Sequence, residues 1–178
     1  MHKNKLLLVQ KGMKIISHKG YHATSIRDII IAAGIPKGSF YYYFESKEMF
    51  CLEIINQLTE NIDHSIEQVL KKTGDSGIKK IMDFFDTIFS FETRQGILLL
   101  KLVTELSERN DFLSEALQFL INSIVHEVSV VLESEISVNQ PDEKAKYLFY
   151  SRLGVLSAQM SGNFDLTESF KIYSDEIV

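Results

Sequence analysis

Between Thr24 and Phe44 the chain reads Thr-Ser-Ile-Arg-Asp-Ile-Ile-Ile-Ala-Ala-Gly-Ile-Pro-Lys-Gly-Ser-Phe-Tyr-Tyr-Tyr-Phe, and this segment concentrates side chains able to meet a polyanion. Behind Pro36, the run Lys37-Gly38-Ser39 places a cation, a bare backbone and a hydroxyl together. Small groups and donors at a helix start let the backbone approach phosphate oxygens and base edges closely. Phe40 and Phe44 are four apart and turn inward as anchors, which leaves Tyr41, Tyr42 and Tyr43 mostly outward. Each phenol buried as core would require a hydrogen-bond partner, so three adjacent ones suit phosphate oxygens and thymine methyl groups better.

The flanking sequence supplies elements to hold this segment. Leu6, Val9, Met13 and Ile16 recur at three- and four-residue steps and draw an apolar stripe on a first helix, which Gly20 ends. Either Thr24 or Ser25 can cap a second, short helix carrying Ile26, Ile29 and Ile30 and closed by Gly34. Pro36 suits the first turn of a third helix. Two short helices across a glycine turn form a helix-turn-helix, whose second helix fits a major groove ~12 Å wide. Ser46 caps a long fourth helix with Phe50, Ile54, Leu58, Ile62 and Ile66 on one face, up to the break Thr73-Gly74-Asp75-Ser76-Gly77. Further helical stripes run through Ile81 to Ile88, Leu99 to Leu106 and Leu113 to Val131. Two more follow Asn139-Gln140-Pro141-Asp142, through Phe149 to Met160 and through Leu166, Phe170, Tyr173 and Ile177. Neither strand alternation nor an internal repeat is present. The expected fold class is all-α: an N-terminal three-helix helix-turn-helix domain, residues 1–47, followed by a helical regulatory and dimerisation domain, residues 48–178.

Charge is distributed to match. The net charge of −5 conceals seven basic side chains against one acid in residues 1–44, a net +6, and −11 over the remainder. Such a split points the N-terminal quarter at a polyanion and keeps the rest clear of it. The chain has 178 residues, 45% of them apolar, with two prolines and nine glycines, which is enough apolar material for one compact domain or two small ones. Cys51 stands alone, which excludes an internal disulfide and any multi-cysteine zinc site and fits a reducing cytoplasm. The apolar run Leu6 to Val9 is shorter than the ~7 to 15-residue core of a signal peptide. No stretch approaches ~18 uncharged apolar residues, so the expectation is a cytoplasmic protein without a membrane partner. Neither a nucleophile–base spacing, nor paired catalytic carboxylates, nor a phosphate-cradling glycine loop, nor a metal motif occurs, so no enzyme activity, cofactor or metal is expected. Cys51 reads as a small buried hydrophobe in preference to a thiolate activated by the helix start and Lys47.

Residues 5 to 50 resemble the DNA-binding domain of the TetR family of one-component bacterial repressors. The pieces that carry the resemblance are Gly20-Tyr21, Thr24 and the run Lys37-Gly38-Ser39-Phe40-Tyr41-Tyr42-Tyr43-Phe44-Glu45-Ser46-Lys47-Glu48. The resemblance implies that Thr24 binds a phosphate at the start of the second helix. It also implies that Pro36, Lys37, Gly38 and Ser39 lie against the groove and that Tyr41 and Tyr42 touch bases or backbone. Tyr43 stands where many relatives carry histidine, and Lys47 would hold a phosphate from the start of the fourth helix. Ser25 and Arg27 complete the DNA-binding candidates, although Arg27 could equally pair with nearby acids. The implied partners are a double-stranded, pseudo-palindromic operator, a second copy of the chain and a small-molecule inducer of apolar or amphipathic character.

Later residues, Gly96 to Leu106 and Leu153 to Met160, look like the subgroup that includes repressors of N-ethylmaleimide reductase. There a cysteine commonly follows the glycine, whereas Ile97 occupies that place here, so thiol sensing at that position is excluded. Wide apolar stripes on the helices near 112–134 and 143–161 suit a four-helix dimer interface, with Leu117, Ile121, Val128, Phe149 and Leu156 as candidates. Phe84, Phe85, Phe89 and Leu99 are candidates for an apolar ligand pocket, and core filling accounts for these phenylalanines equally well.

Overall fold

Gly20 and Gly34 divide the N-terminal region into short helices because each adopts a left-handed backbone, φ 89° and 65°, that side-chain-bearing residues rarely take. The computed structural model describes residues 3–90, 94–106 and 112–162. Helix α1 spans Lys3–Lys19, α2 Ile26–Ala33 and α3 Lys37–Tyr43. Helix α4, Lys47–Ser65, runs into a π-helical turn, Ile66–Leu70. Next come α5, Gly77–Ile88, and α6, Gln95–Leu106. Helix α7, Phe112–Val131, likewise ends in a π-helical turn, Leu132–Ile136, and α8 spans Pro141–Met160. All regular structure among the described residues is helical, as periodicity predicts. The stripe expected through Leu166 to Ile177 lies outside the described residues.

Two compact units emerge, one of residues up to 60 with 97–119, the other of 61–96 with those from 120 onward. They do not follow a division at 47/48, because α4, which opens at Lys47, is buried along its apolar face from Phe50 to Leu58 within the first unit. In that unit α1 crosses α2 and α3 over an aromatic core. Phe40 and Phe44 turn inward as their spacing requires, and Phe50 joins them with ring centroids 5.4 and 5.0 Å away. Gly12 of α1 lets this cluster close: a Cβ there would lie 2.3 Å from the Phe50 ring. Lys5 pairs with Glu53 at 2.7 Å and ties α1 to α4. Cys51 is fully buried in the same unit, which fits a small hydrophobe and leaves no surface for reagent access.

In the second unit α5 presents Phe84 and Phe85 inward, as does Phe89 just beyond its end, and Phe89 meets Phe149 of α8 with centroids 6.0 Å apart. These rings fill their space by packing on one another. Lys80 is buried with its ammonium 2.6 Å from Glu135, while Arg152 of α8 pairs with Asp86 of α5. A buried charge survives only when paired in this way. Helix α7 with its π turn is long and apolar enough to cross a membrane by composition; half of its most apolar stretch is buried in the fold, and it carries Glu115 and Glu127.

Candidate nucleic-acid interface

The turn before α2 settles which residue caps it. Ser25 takes the cap position in extended backbone, its hydroxyl accepting from the Asp28 N–H at 3.1 Å while the Asp28 carboxylate accepts from the Ser25 N–H at 3.0 Å. This reciprocal capping box satisfies two donors that a helix start otherwise leaves unpaired. Those bonds hold the Asp28 carboxyl below its ordinary range, the Ser25 backbone contributing most and Lys19, 3.4 Å away, adding to it. Thr24 is only 1% exposed, and its hydroxyl donates to the Gly20 carbonyl at 2.6 Å. The expectation that Thr24 binds a phosphate is therefore corrected: its side chain fastens the turn from inside and has no free face to offer.

Helix α3 projects its polar face into solvent. Pro36, Lys37 and Gly38 are exposed, and Ser39 and Tyr43 are half-buried. Tyr41 and Tyr42 are 49% and 76% exposed. Tyr43 turns its ring edge to Tyr42, with centroids 4.8 Å apart, so two of the three phenols stand fully outward and the third supports them. Lys37 lies 6.0 Å from the Tyr41 ring centroid, a loose cation–π contact that leaves the ammonium available. At Gly38 a Cβ would meet nothing within 4 Å and φ is not positive, so nothing inside the chain demands glycine there. Arg27 is exposed beside this face, and among the described residues no ion pair involves it. A groove of about 470 Å³ is lined by Arg27, Lys37 and Tyr41 together with Ile26, Ile30 and Ile31.

Ile31, 69% exposed, is a feature that sequence reading missed. The signal was the run Ile29-Ile30-Ile31: successive helical residues are about 100° apart, so three in a row cannot all face a core. Lys47 also departs from expectation. It opens α4, with Ser46 as cap accepting from the Met49 N–H at 3.2 Å, but its ammonium sits 4.3 Å from the Tyr21 ring centroid and 3.4 Å from the His22 carbonyl. Burial lowers its affinity for the proton, opposed by nearby acids that include Glu48 and Glu105. It braces the α1–α2 turn. Neighbouring Glu48 is held below the ordinary carboxylate range by its own backbone N–H, then by Ser46, with Lys47 and the Tyr21 hydroxyl adding smaller effects.

The other candidates lie apart from this face. Leu117, Ile121, Val128, Phe149 and Leu156 are at most 5% exposed and fill the chain's own core, which corrects their assignment to a surface between copies. On the same helices the exposed apolar side chains are instead Phe112, Phe119 and Val130 of α7 and Tyr147, Tyr150 and Met160 of α8. Phe84, Phe85, Phe89 and Leu99 are at most 4% exposed and line neither the groove above nor a second, more polar groove of about 530 Å³ bordered by Gln68, Asp75, Asp83, Asp86 and Thr87. Among the described residues no three His, Cys, Asp or Glu side chains converge as metal ligands would.

A capped helix, a left-handed glycine turn and a short exposed helix bearing one cation and outward phenols form a helix-turn-helix of the DNA-binding type in an all-α protein. Residues 8–54 match the family model described as bacterial regulatory proteins, tetR family. That match lies within the N-terminal third of the chain and takes in α2 and α3. The chain is 32% identical over 104 residues to the HTH-type transcriptional repressor DhaR of Mycobacterium sp. (strain GP1), a match that takes in 58% of this chain and about half, 52%, of that repressor's length. A TetR transcriptional regulator from Legionella pneumophila superposes over 100% of this chain and 98% of its own, with a TM-score of 0.90 at 22% identity. The reduced form of E. coli NemR covers 99% and 97%, with a TM-score of 0.86 at 23% identity. At these identities the likeness to the two solved structures is one of fold.

Proposed function

We propose that this protein is a ligand-responsive transcriptional repressor that binds a pseudo-palindromic operator as a homodimer in the cytoplasm and is released by a small-molecule inducer. The observation that carries the reading is the exposed face of α3: Lys37, a glycine with open space where its Cβ would stand, and two outward phenols, beside the exposed Arg27. Phosphate contacts from Lys37, the Ser39 hydroxyl and the backbone around Gly38 fix the register, while Arg27, Tyr41 and Tyr42 meet base edges and thymine methyl groups. One recognition helix of two turns gives little specificity, so two copies reading half-sites ~34 to 36 Å apart, or a multiple, supply it.

Helix α8 supports the pairing of copies. Tyr147, Tyr150 and Gly154 are exposed along one side of it, and at Gly154 a Cβ would meet nothing within 4 Å. Helix packing between copies uses such a face of rings around a small residue. The inducer acts by population shift: a ligand that binds better when α4 is tilted holds the two recognition helices off the groove spacing, and ~1 to 3 kcal/mol of coupling changes operator affinity 5- to 150-fold. An apolar or amphipathic inducer would enter by parting the rings of Phe84, Phe85 and Phe89.

The test is a salt titration of operator binding. Lys37→Ala is expected to weaken binding to all duplexes and to shallow the slope of log K against log salt by roughly one unit. Unchanged affinity and slope would remove α3 from the interface.

A further inference from the structure

The turn that leads into the DNA-facing helices is gripped by a carboxylate from α6. The His22 N–H donates to Glu105 Oε2 at 2.7 Å. The His22 ring nitrogen Nε2 lies 3.1 Å from the Glu105 carbonyl, and because a carbonyl only accepts, Nε2 carries the proton. The fit is close: a Cβ on Gly20 would stand 1.9 Å from Glu105 Oε1. From the other side Lys47 donates to the His22 carbonyl and covers the Tyr21 ring, and Thr24 locks the Gly20 carbonyl. Immediately after this turn come the Ser25 cap and Arg27. These residues all belong to the first compact unit.

We infer that Glu105 is a positioning residue for DNA binding: its carboxylate acts as a hydrogen-bond acceptor that sets the Gly20–Thr24 turn, and hence the start of α2, in the orientation that binds the operator. Displacement of the C-terminal end of α6 then breaks the His22 bond and frees the turn. The alternative role for an acid at this place is plain repulsion of phosphates, in which case removing it strengthens binding. The inference rests on the DNA-binding reading, and its two halves are separable by experiment.

The test uses the full chain in three forms: wild type, Glu105→Ala and Glu105→Gln. Without DNA, amide hydrogen exchange at His22 is expected to accelerate in Glu105→Ala while α1 and α4 keep their protection, which separates loss of the clasp from loss of the fold. Operator affinity is expected to fall about fivefold or more in Glu105→Ala, with the salt slope unchanged because no phosphate contact is removed. Glu105→Gln keeps an acceptor oxygen and loses the charge, so it is expected to restore most of that affinity. Unchanged exchange at His22 overturns the clasp. Equal or tighter operator binding by both variants overturns the positioning role in favour of repulsion, and a glutamine variant as weak as alanine overturns the acceptor argument. A wild-type chain that binds no duplex sinks the DNA-binding reading and the role assigned to Glu105 with it, while the exchange measurement still decides the contact.

Discussion

Gly38, like Gly154, is a residue whose identity the folded chain itself does not explain. A helical glycine with open space around its Cβ position costs helix stability relative to alanine, by up to about 1 kcal/mol. Gly38→Ala is therefore expected to raise thermal stability slightly and, at the same time, to weaken operator binding, because the added methyl would stand where the DNA backbone must approach. Thermal unfolding together with gel-shift titration checks both signs; a variant that is stabler and binds as well as wild type would deny close backbone contact at this position. Thr24 and Lys47 show the opposite case, polar residues whose groups are drawn into the turn that presents the interface. The family resemblance marked them as binding candidates, yet a matching motif does not reveal whether a neighbouring carbonyl has already claimed the hydroxyl or ammonium.

At the scale of elements, α2 and α4 both start on serine caps reinforced by acids, and both acids have lowered proton affinity in the fold. A carboxyl with a folded pKa below its unfolded value adds stability that is complete above the unfolded pKa, ordinarily 3.8 for Asp28 and 4.5 for Glu48, and is lost as pH falls through the folded one. Acidification below about pH 4 should therefore loosen the starts of these helices before the aromatic core gives way. Asp28→Asn should lower stability at neutral pH and flatten its fall on acidification, as read by circular dichroism melting across pH. An undiminished acid response in this variant would assign the effect to other carboxyls. The helix starts and stops were legible in sequence because caps act locally: Ser25, Gly34, Pro36 and Ser46 each do their work within a few residues. The π-helical turns at Ile66–Leu70 and Leu132–Ile136 were not, since a widened turn depends on what packs around it and leaves the apolar spacing almost unchanged.

For the whole molecule, the proposed pairing of copies predicts that Tyr150→Glu, which puts a charge on the exposed face of α8 and gives up one edge contact with the buried Phe149 ring, converts the dimer to monomer in sedimentation equilibrium and weakens operator binding with it. A variant that stays dimeric would move the interface off this face. The assignment of Leu117, Ile121, Val128, Phe149 and Leu156 to an interface failed because an apolar stripe says that a helix face must be covered and says nothing about whose atoms cover it. Phe84, Phe85 and Phe89 show the same ambiguity, since rings that fill a core and rings that line a cavity have identical spacing. Periodicity, local caps and the charge imbalance of the first 44 residues were sufficient for an all-helical chain with a cationic helix-turn-helix, because each of these signals is carried by near neighbours along the backbone. Which polar groups remain open, which apolar faces meet water, and that Glu105 reaches His22 across 83 positions of chain were settled by packing alone, because those contacts join residues that no local rule connects.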